Sequence, residues 1–238
     1  MHTDDTLTIR RVERLITERL DRAVYRHRAP LAATAWQVPD EPVRPAEALA
    51  QRFETVGAGF AWGRPWGTTW FHLTGEAPGE WLDHGHVPAG LELEALVDLG
   101  FTEHRPGGQA EGLAFTPDGA VIKAIQPRNS HVPVEPGAID LYIEAAANPP
   151  LGFEPNPFDP TPLGDKATVP EEPLYAVREF AVALRDVAVW RLVQDARLLL
   201  DLARELPDAS TRRARLLHAL DTMCDAIDPE DVAGTATH

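Results

Sequence analysis

A mainly β protein is the fold class this 238-residue sequence predicts: an antiparallel sandwich or jelly roll, with a helix before it and a helical hairpin after it. Three observations predict it. Between Trp66 and Asp186, apolar and polar residues alternate with a period of two in several runs, with no helical pattern between them. At both ends of the chain the period becomes 3.6. The 22 prolines and 17 glycines punctuate the rest with turns, and frequent turns suit short strands.

The elements follow in order. Ile9, Val12, Leu15, Ile16, Leu20 and Ala23 keep three-four spacing and predict a helix over 6–27, with Asp5 or Thr6 to cap it. Pro30, Pro39, Pro42, Pro45 and Pro65 break any long element over 28–65, which reads as irregular. Pro45 suits the start of a short helix reaching Arg52. Thr68, Thr69, Trp70, Phe71, His72, Leu73 and Thr74 are β-branched or aromatic enough for a strand, which Gly75–Pro78 ends. A second strand runs from Leu91 to Leu99. Residues 111–116 and 120–125 read as a hairpin, because Thr116-Pro117-Asp118-Gly119 is a turn sequence. Ile139, Leu141 and Ile143 alternate with Asp140, Tyr142 and Glu144 in a strand from Ala138 to Ala146, and a last strand spans Tyr175–Leu184.

A Pro-rich connection over 148–173 is long enough to carry function or an interface. After it, Val189, Leu192, Val193, Ala196, Leu199, Leu200, Ala203 and Leu206 form one apolar helix face, and Pro207 stops it. Ser210 caps a second helix striped by Ala214, Leu217, Leu220, Cys224 and Ile227. The short loop between them predicts an antiparallel pair. The domain reading is therefore a helix and Pro-rich lead-in over 1–65, a β-sandwich over 66–186, a helical hairpin over 187–230 and a linker over 231–238.

Charge narrows the function classes. A net charge of −15 repels phosphate backbones and anionic lipid, so neither nucleic acid nor a membrane surface is an expected partner. No run approaches the roughly 18 apolar residues of a membrane span. One cysteine, Cys224, permits no intrachain disulfide, and the N-terminus lacks an apolar signal core. The expected location is cytoplasmic.

Motifs for chemistry are sparse. Gly57-Ala58-Gly59 is too short for a phosphate loop, and Cys224 on a helix stripe reads as core. Asp83, His84 and His86 offer nitrogen and oxygen ligands but no second cluster completes a site, so no metal is expected in this chain. No residue reads as catalytic. Glu111 and Glu144 sit inside apolar strand patterns, where a carboxylate faces solvent or is hydrogen bonded. Arg128, Asn129 and His131 cluster on a loop leaving a strand, a common place for binding groups or for ordinary turn bonds. Trp62, Trp66 and Trp70 recur every four residues. Trp66 and Trp70 are candidates for stacking on a sugar or for packing between domains. Asn148 is a candidate because it opens the long connection at a strand end.

Several runs together resemble a known family. They are Pro65-Trp66-Gly67-Thr68-Thr69-Trp70-Phe71-His72, Val97-Asp98-Leu99-Gly100-Phe101, Gln109-Ala110-Glu111-Gly112-Leu113, Pro127-Arg128-Asn129-Ser130-His131-Val132-Pro133-Val134, Glu144-Ala145-Ala146-Ala147-Asn148-Pro149 and Leu163-Gly164-Asp165-Lys166. The pattern is similar to the N-terminal region of glycoside hydrolase family 38 alpha-mannosidases of the cytosolic or vacuolar type, along nearly the whole chain. The resemblance implies a galactose-binding-like β-sandwich, followed in the parent enzyme by an α/β catalytic barrel, a helical bundle and further β domains. It implies that the catalytic zinc and the nucleophilic Asp belong to a catalytic domain beyond 231–238, so the chain alone is expected to be inactive. Two roles follow for the segment. One is a scaffold that packs on its own catalytic domain and aids homo-oligomer assembly. The other is a module that holds mannose-containing glycans. An independent enzyme of another class is the third reading, and it needs a buried pocket with perturbed ionisable groups.

Overall fold

The computed structural model describes residues 5–40, 42–102, 107–149, 168–228 and 230–236. The chain divides into two compact units: Met1–His27, Val87–Glu92 and Leu184–His238 in one, Arg28–His86 and Leu93–Ala183 in the other.

The first unit is helical. Helix α1 (Asp5–Leu15) runs into a π-helical turn, Ile16–Leu20, and a final turn, α2 (Asp21–Ala23). Helix α4 (Val187–Glu205) and helix α5 (Thr211–Ala226) pack with it, and a short α6 (Val232–Thr235) follows. The stripe predicted for the first helix is the one that is buried: Val12, Ile16 and Leu20 meet Val189, Val193, Ala196, Leu200 and Leu220 in one core. Asp186 caps α4, accepting from the backbone N–H groups of Ala188 and Val189 at 3.0 Å each. Ser210 caps α5 through the Arg213 amide, and the Arg213 side chain pairs with Asp5 and donates to the Ala203 carbonyl at 3.1 Å. The N-terminal helix and the C-terminal hairpin, read separately in sequence, thus share a core.

The second unit carries most of the β-structure. The strands are β1 (Tyr25–Pro30), β2 (Ala32–Gln37), β3 (Glu54–Val56), β4 (Ala61–Trp62), β5 (Thr68–Glu76), β6 (Leu91–Asp98), β7 (Glu111–Phe115), β8 (Val121–Ile125), β9 (His131–Pro133), β10 (Ala138–Ala146), β11 (Tyr175–Ala176) and β12 (Glu179–Asp186), with the short helix α3 (Pro45–Leu49) before β3. One sheet has the order β3-β2-β5-β10-β7-β8, a second β1-β12-β6-β9, and β11 pairs with β4. The ends of β1, β6 and β12 count with the helical unit. Non-consecutive neighbours and antiparallel pairing give the jelly-roll arrangement that the alternation predicts.

Alternation along β5 sorts its side chains. Phe71 meets Phe180 of β12 with ring centroids 5.2 Å apart, so Phe71 and Leu73 fill the space between the sheets. Trp70 therefore points to the other side of its sheet. That outer face has a small core of its own: Trp70, Phe115 and Ala48 of α3, packed with Trp36, Val38, Val43, Leu49, Phe53, Leu113 and Tyr142. The predicted hairpin between β7 and β8 is closed by Thr116, whose carbonyl accepts from the Gly119 amide at 2.9 Å.

Three sequence expectations are corrected. The first helix stops at Ala23 rather than continuing to 27, and Tyr25 begins a strand. The lead-in over 28–65 is not irregular but holds β2, β3, β4, α3 and the second half of β1. Its strands were hidden because β2 buries only the small Ala33 and Ala35, and because Pro30 ends β1 at a sheet edge, where proline is tolerated. The strand expected over Tyr175–Leu184 is two strands, β11 and β12. The Pro-rich connection lies largely outside the described residues, which omit 150–167.

Candidate functional site

Three of the quoted sequence runs converge at one end of the six-stranded sheet. The Trp66 amide donates to the Ala147 carbonyl and the Ala147 amide to the Gly67 carbonyl, both at 2.9 Å, which fastens the Pro65–Thr68 corner to the end of β10. Asn148 follows directly. Its side-chain amide donates to Glu111 Oε2 at 3.4 Å, and Glu111 Oε1 accepts from the Gly107 amide at 3.2 Å. Tyr175 donates its hydroxyl to the Asn148 carbonyl. Burial pushes the Tyr175 phenol up to about 12.

A hydrophobic wall supports this end. The Trp62 indole N–H donates to the Leu99 carbonyl at 2.8 Å, and its ring lies 5.6 Å from Phe71, edge to face, and 5.4 Å from Tyr175. The neighbouring turn requires glycine. Gly100 has φ +94°, and a Cβ there would come within 2.3 Å of the Ala176 carbonyl oxygen. The buried Gln109 accepts from the Thr102 amide at 3.0 Å and ties down the same region.

The outer face of the sheet carries the ionisable groups. Glu144 on β10 stands directly opposite Trp70 on β5 and Leu113 on β7, and Glu111 stands opposite Ala146. All five share one face, because Cα partners in an antiparallel pair point the same way. Burial pushes the Glu144 carboxyl above the usual carboxylate range. The Trp70 ring lies 5.1 Å from that of Phe115, so the indole leans across β10. Trp70 is fully buried and its N–H has no acceptor among the described residues.

The predicted residues thus separate into two groups. Trp66 and Asn148 come together at the sheet end, joined through Ala147. Trp70 lies one step further along the outer face, but as a core residue with neither ring face open to a sugar. Trp66 is half-buried and adopts φ 64°, a left-handed conformation unusual for a bulky residue. Beside it lies a cleft of about 70 Å³ lined by Gln37, Asp40, Arg64, Pro65, Trp66 and Thr68, among others. Arg128, Asn129 and His131 lie elsewhere. The Asn129 side chain accepts from Lys123 Nζ at 2.6 Å, and the Arg128 amide donates to Gln126 Oε1 at 2.9 Å. His131 on β9 stands 3.6 Å from the buried carboxylate of Glu94 on β6.

Sequence reasoning passed over Trp62, Gln109 and Tyr175 as members of the sheet end. It noted Glu111 and Glu144 without joining them. Pairing register joins them, and register is not visible in a single strand. Among the described residues no group of three or more His, Cys, Asp or Glu gathers as a metal site, and no helix is long and apolar enough to cross a membrane.

Two comparisons with known proteins bear on this arrangement. A family model described as the jelly roll domain of alpha-mannosidase, Ams1-like, matches residues 29–183. Alpha-mannosidase 2C1 of Mus musculus is 26% identical over 185 residues, which is 77% of this chain and 16% of that protein. The chain thus spans about a sixth of the length of the curated relative it matches.

Proposed function

This chain belongs to the alpha-mannosidase jelly roll domain family, and from that membership we propose that it is the N-terminal, non-catalytic part of an enzyme that hydrolyses terminal alpha-D-mannosides. In this reading the segment is a scaffold. It packs on its own catalytic domain and aids homo-oligomer assembly, in the cytoplasm. The carrying observation is the use made of polar groups at the sheet end. Trp62 Nε1, the Tyr175 hydroxyl and the Gln109 side chain all bond to backbone groups that fix strand ends and turns. Such bonding supports a rigid platform. The catalytic zinc belongs, on this reading, to residues of the parent enzyme outside this chain. Among the described residues no group of three or more His, Cys, Asp or Glu gathers that could hold it.

The test is the parent enzyme with and without this segment. Removal is expected to lower both the thermal midpoint and the turnover of an aryl alpha-mannoside. The segment alone is expected to give no turnover, with or without zinc. Turnover by the segment alone, or a parent enzyme indifferent to its removal, overturns the reading. A second reading, a module that itself holds mannosides, is favoured by one observation: the half-buried Trp66 ring borders a cleft that also holds Gln37, Asp40 and Arg64.

A further inference from the structure

We propose that the arginine-lined cleft between the first helix and α5 is a binding site for a small phosphate ester. It lies wholly within the helical unit and rests on neither reading above.

The first support is the cleft and the helix geometry that builds it. Its volume is about 320 Å³, and Arg11, Arg14, Leu15, Glu18, Arg19 and Cys224 line it. That volume is at the low end of the range for small-molecule sites. Arg11, Arg14, Leu15 and Glu18 are neighbours on one helix face by their three-four spacing. In a regular α-helix Arg19 would lie about 80° round from Arg11. The turn over Ile16–Leu20 is π-helical, with bonds from i to i+5 in place of i to i+4. It under-winds the helix and brings Arg19 back toward the face of Arg11 and Leu15. Three guanidinium groups therefore border one cleft.

The second support is the pairing of the charges around it. The stretch Asp5–Ala23 carries five arginines and four acids. Arginines of α4 and α5 take three of those acids: Arg213 pairs with Asp5, Arg204 with Glu13 and Arg197 with Asp21. Arg11 is held by Asp221 and Asp225 at 2.7 and 2.5 Å. Arg14 and Arg19 are exposed, and among the described residues their side chains have no ion pair or hydrogen bond. Glu18 is left unpaired in the same sense. Two open guanidinium groups against one open carboxylate make the cleft locally positive on a chain of net charge −15. A phosphate polymer meets the whole acidic surface and is repelled. A small anion responds to charges within about one Debye length, roughly 8–10 Å.

The donor set selects the ligand. A guanidinium is a rigid fork that matches two oxygens at once. A carboxylate presents a single pair of oxygens, enough for one fork. A phosphate ester presents three terminal oxygens on a tetrahedron, so two forks engage it from different sides. Leu15 and the Cys224 thiol are half-buried and give the organic part of the ester an apolar wall. Glu18 repels a ligand of many charges, which favours one phosphate group over a polyphosphate.

The experiment uses the single cysteine of the chain as a reporter, since alkylation of Cys224 by neutral iodoacetamide reads this cleft alone. Burial pushes the thiol up, so the reaction is run in mild alkali. The probe is phenyl phosphate, with inorganic phosphate, benzoate and phenol in parallel, and calorimetry follows the same titrations. Phenyl phosphate is expected to give saturable heat and to slow alkylation several-fold, with inorganic phosphate weaker. Arg14→Gln and Arg19→Gln are each expected to weaken binding about fivefold or more, and added salt weakens it further. Arg10→Gln, exposed on α1 but not lining the cleft, leaves binding unchanged. Circular dichroism confirms that each variant is folded. No heat and no protection up to about 10 mM phenyl phosphate overturns the proposal. Binding that survives both cleft variants overturns it too. Phenol binding as well as phenyl phosphate marks an apolar crevice, equal binding of benzoate marks a site for any anion, and equal binding of inorganic phosphate removes the ester, so each of these overturns it.

Discussion

The indole N–H of Trp62 donates to the Leu99 carbonyl at 2.8 Å inside a side chain that is wholly buried, and this bond joins the short β4–β11 pair to the end of β6. Trp62→Phe keeps much of the ring packing against Phe71 and Tyr175 but leaves that carbonyl without its donor. The expected loss is about 1–3 kcal/mol for the unsatisfied acceptor, with a further term for lost volume. Urea unfolding followed by circular dichroism measures it. An unchanged midpoint would mean that the carbonyl finds another donor.

Gly100 and Gly57 make a matched pair. Gly100 combines φ +94° with a backbone oxygen 2.3 Å from where a Cβ would sit, and backbone cannot swing aside as a side-chain tip can. Gly57 has open space around the same position. Gly100→Ala is expected to cost several kcal/mol, on the order of the largest single-residue effects, while Gly57→Ala stays within about 0.5 kcal/mol. Thermal melts of the two variants side by side decide it.

Trp70→Ala is expected to cost about 3–5 kcal/mol, because the indole anchors the outer core with Phe115 and Ala48. Trp66→Ala, at a half-buried position, should cost less. The reverse order in a denaturant titration would show that α3 leaves Trp70 accessible in solution.

Asp186 serves the helical unit twice. It caps α4 through two amide bonds and accepts from Arg26 Nε at 2.9 Å. Asp186→Ala removes the cap, worth about 0.5–2 kcal/mol, and exposes α4 to fraying at its first turn. Hydrogen exchange of the Ala188 and Val189 amides is the direct readout, and protection there equal to wild type would assign the cap no role.

These relationships were legible in the sequence to unequal degrees. The period of two in Ala138–Ala146 and the Thr116–Gly119 turn located β10 and the β7–β8 hairpin, because large apolar residues and turn chemistry leave a local mark. β2 left none, since its inward positions are alanines, and β1 ended in proline. The split between β11 and β12 is set by pairing with β4, a contact more than a hundred residues away in the chain. The candidate site shows the same limit. Residue type singles out Trp66 and Asn148 as candidates, but Trp70 carries the same type as Trp66 and lies in a core with Ala48 of α3. Whether Glu111 and Glu144 act together depends on register, which belongs to two strands at once.

That register gives the last prediction. Burial raises the Glu144 carboxyl above the ordinary carboxylate range, so the folded chain holds this proton more tightly than the unfolded chain does. Where the folded state binds more protons, stability falls as pH rises. The contribution is fully present below the ordinary carboxylate range and is lost as pH climbs through the raised folded value. Glu144→Gln has no proton to lose there. Wild type and variant are therefore expected to match most closely in acid, and the variant should gain relative stability as pH approaches neutrality. Urea midpoints for both proteins across that range test the sign. If the wild type gains on the variant instead, the Glu144 carboxylate has a donor in the folded chain that favours its ionised form.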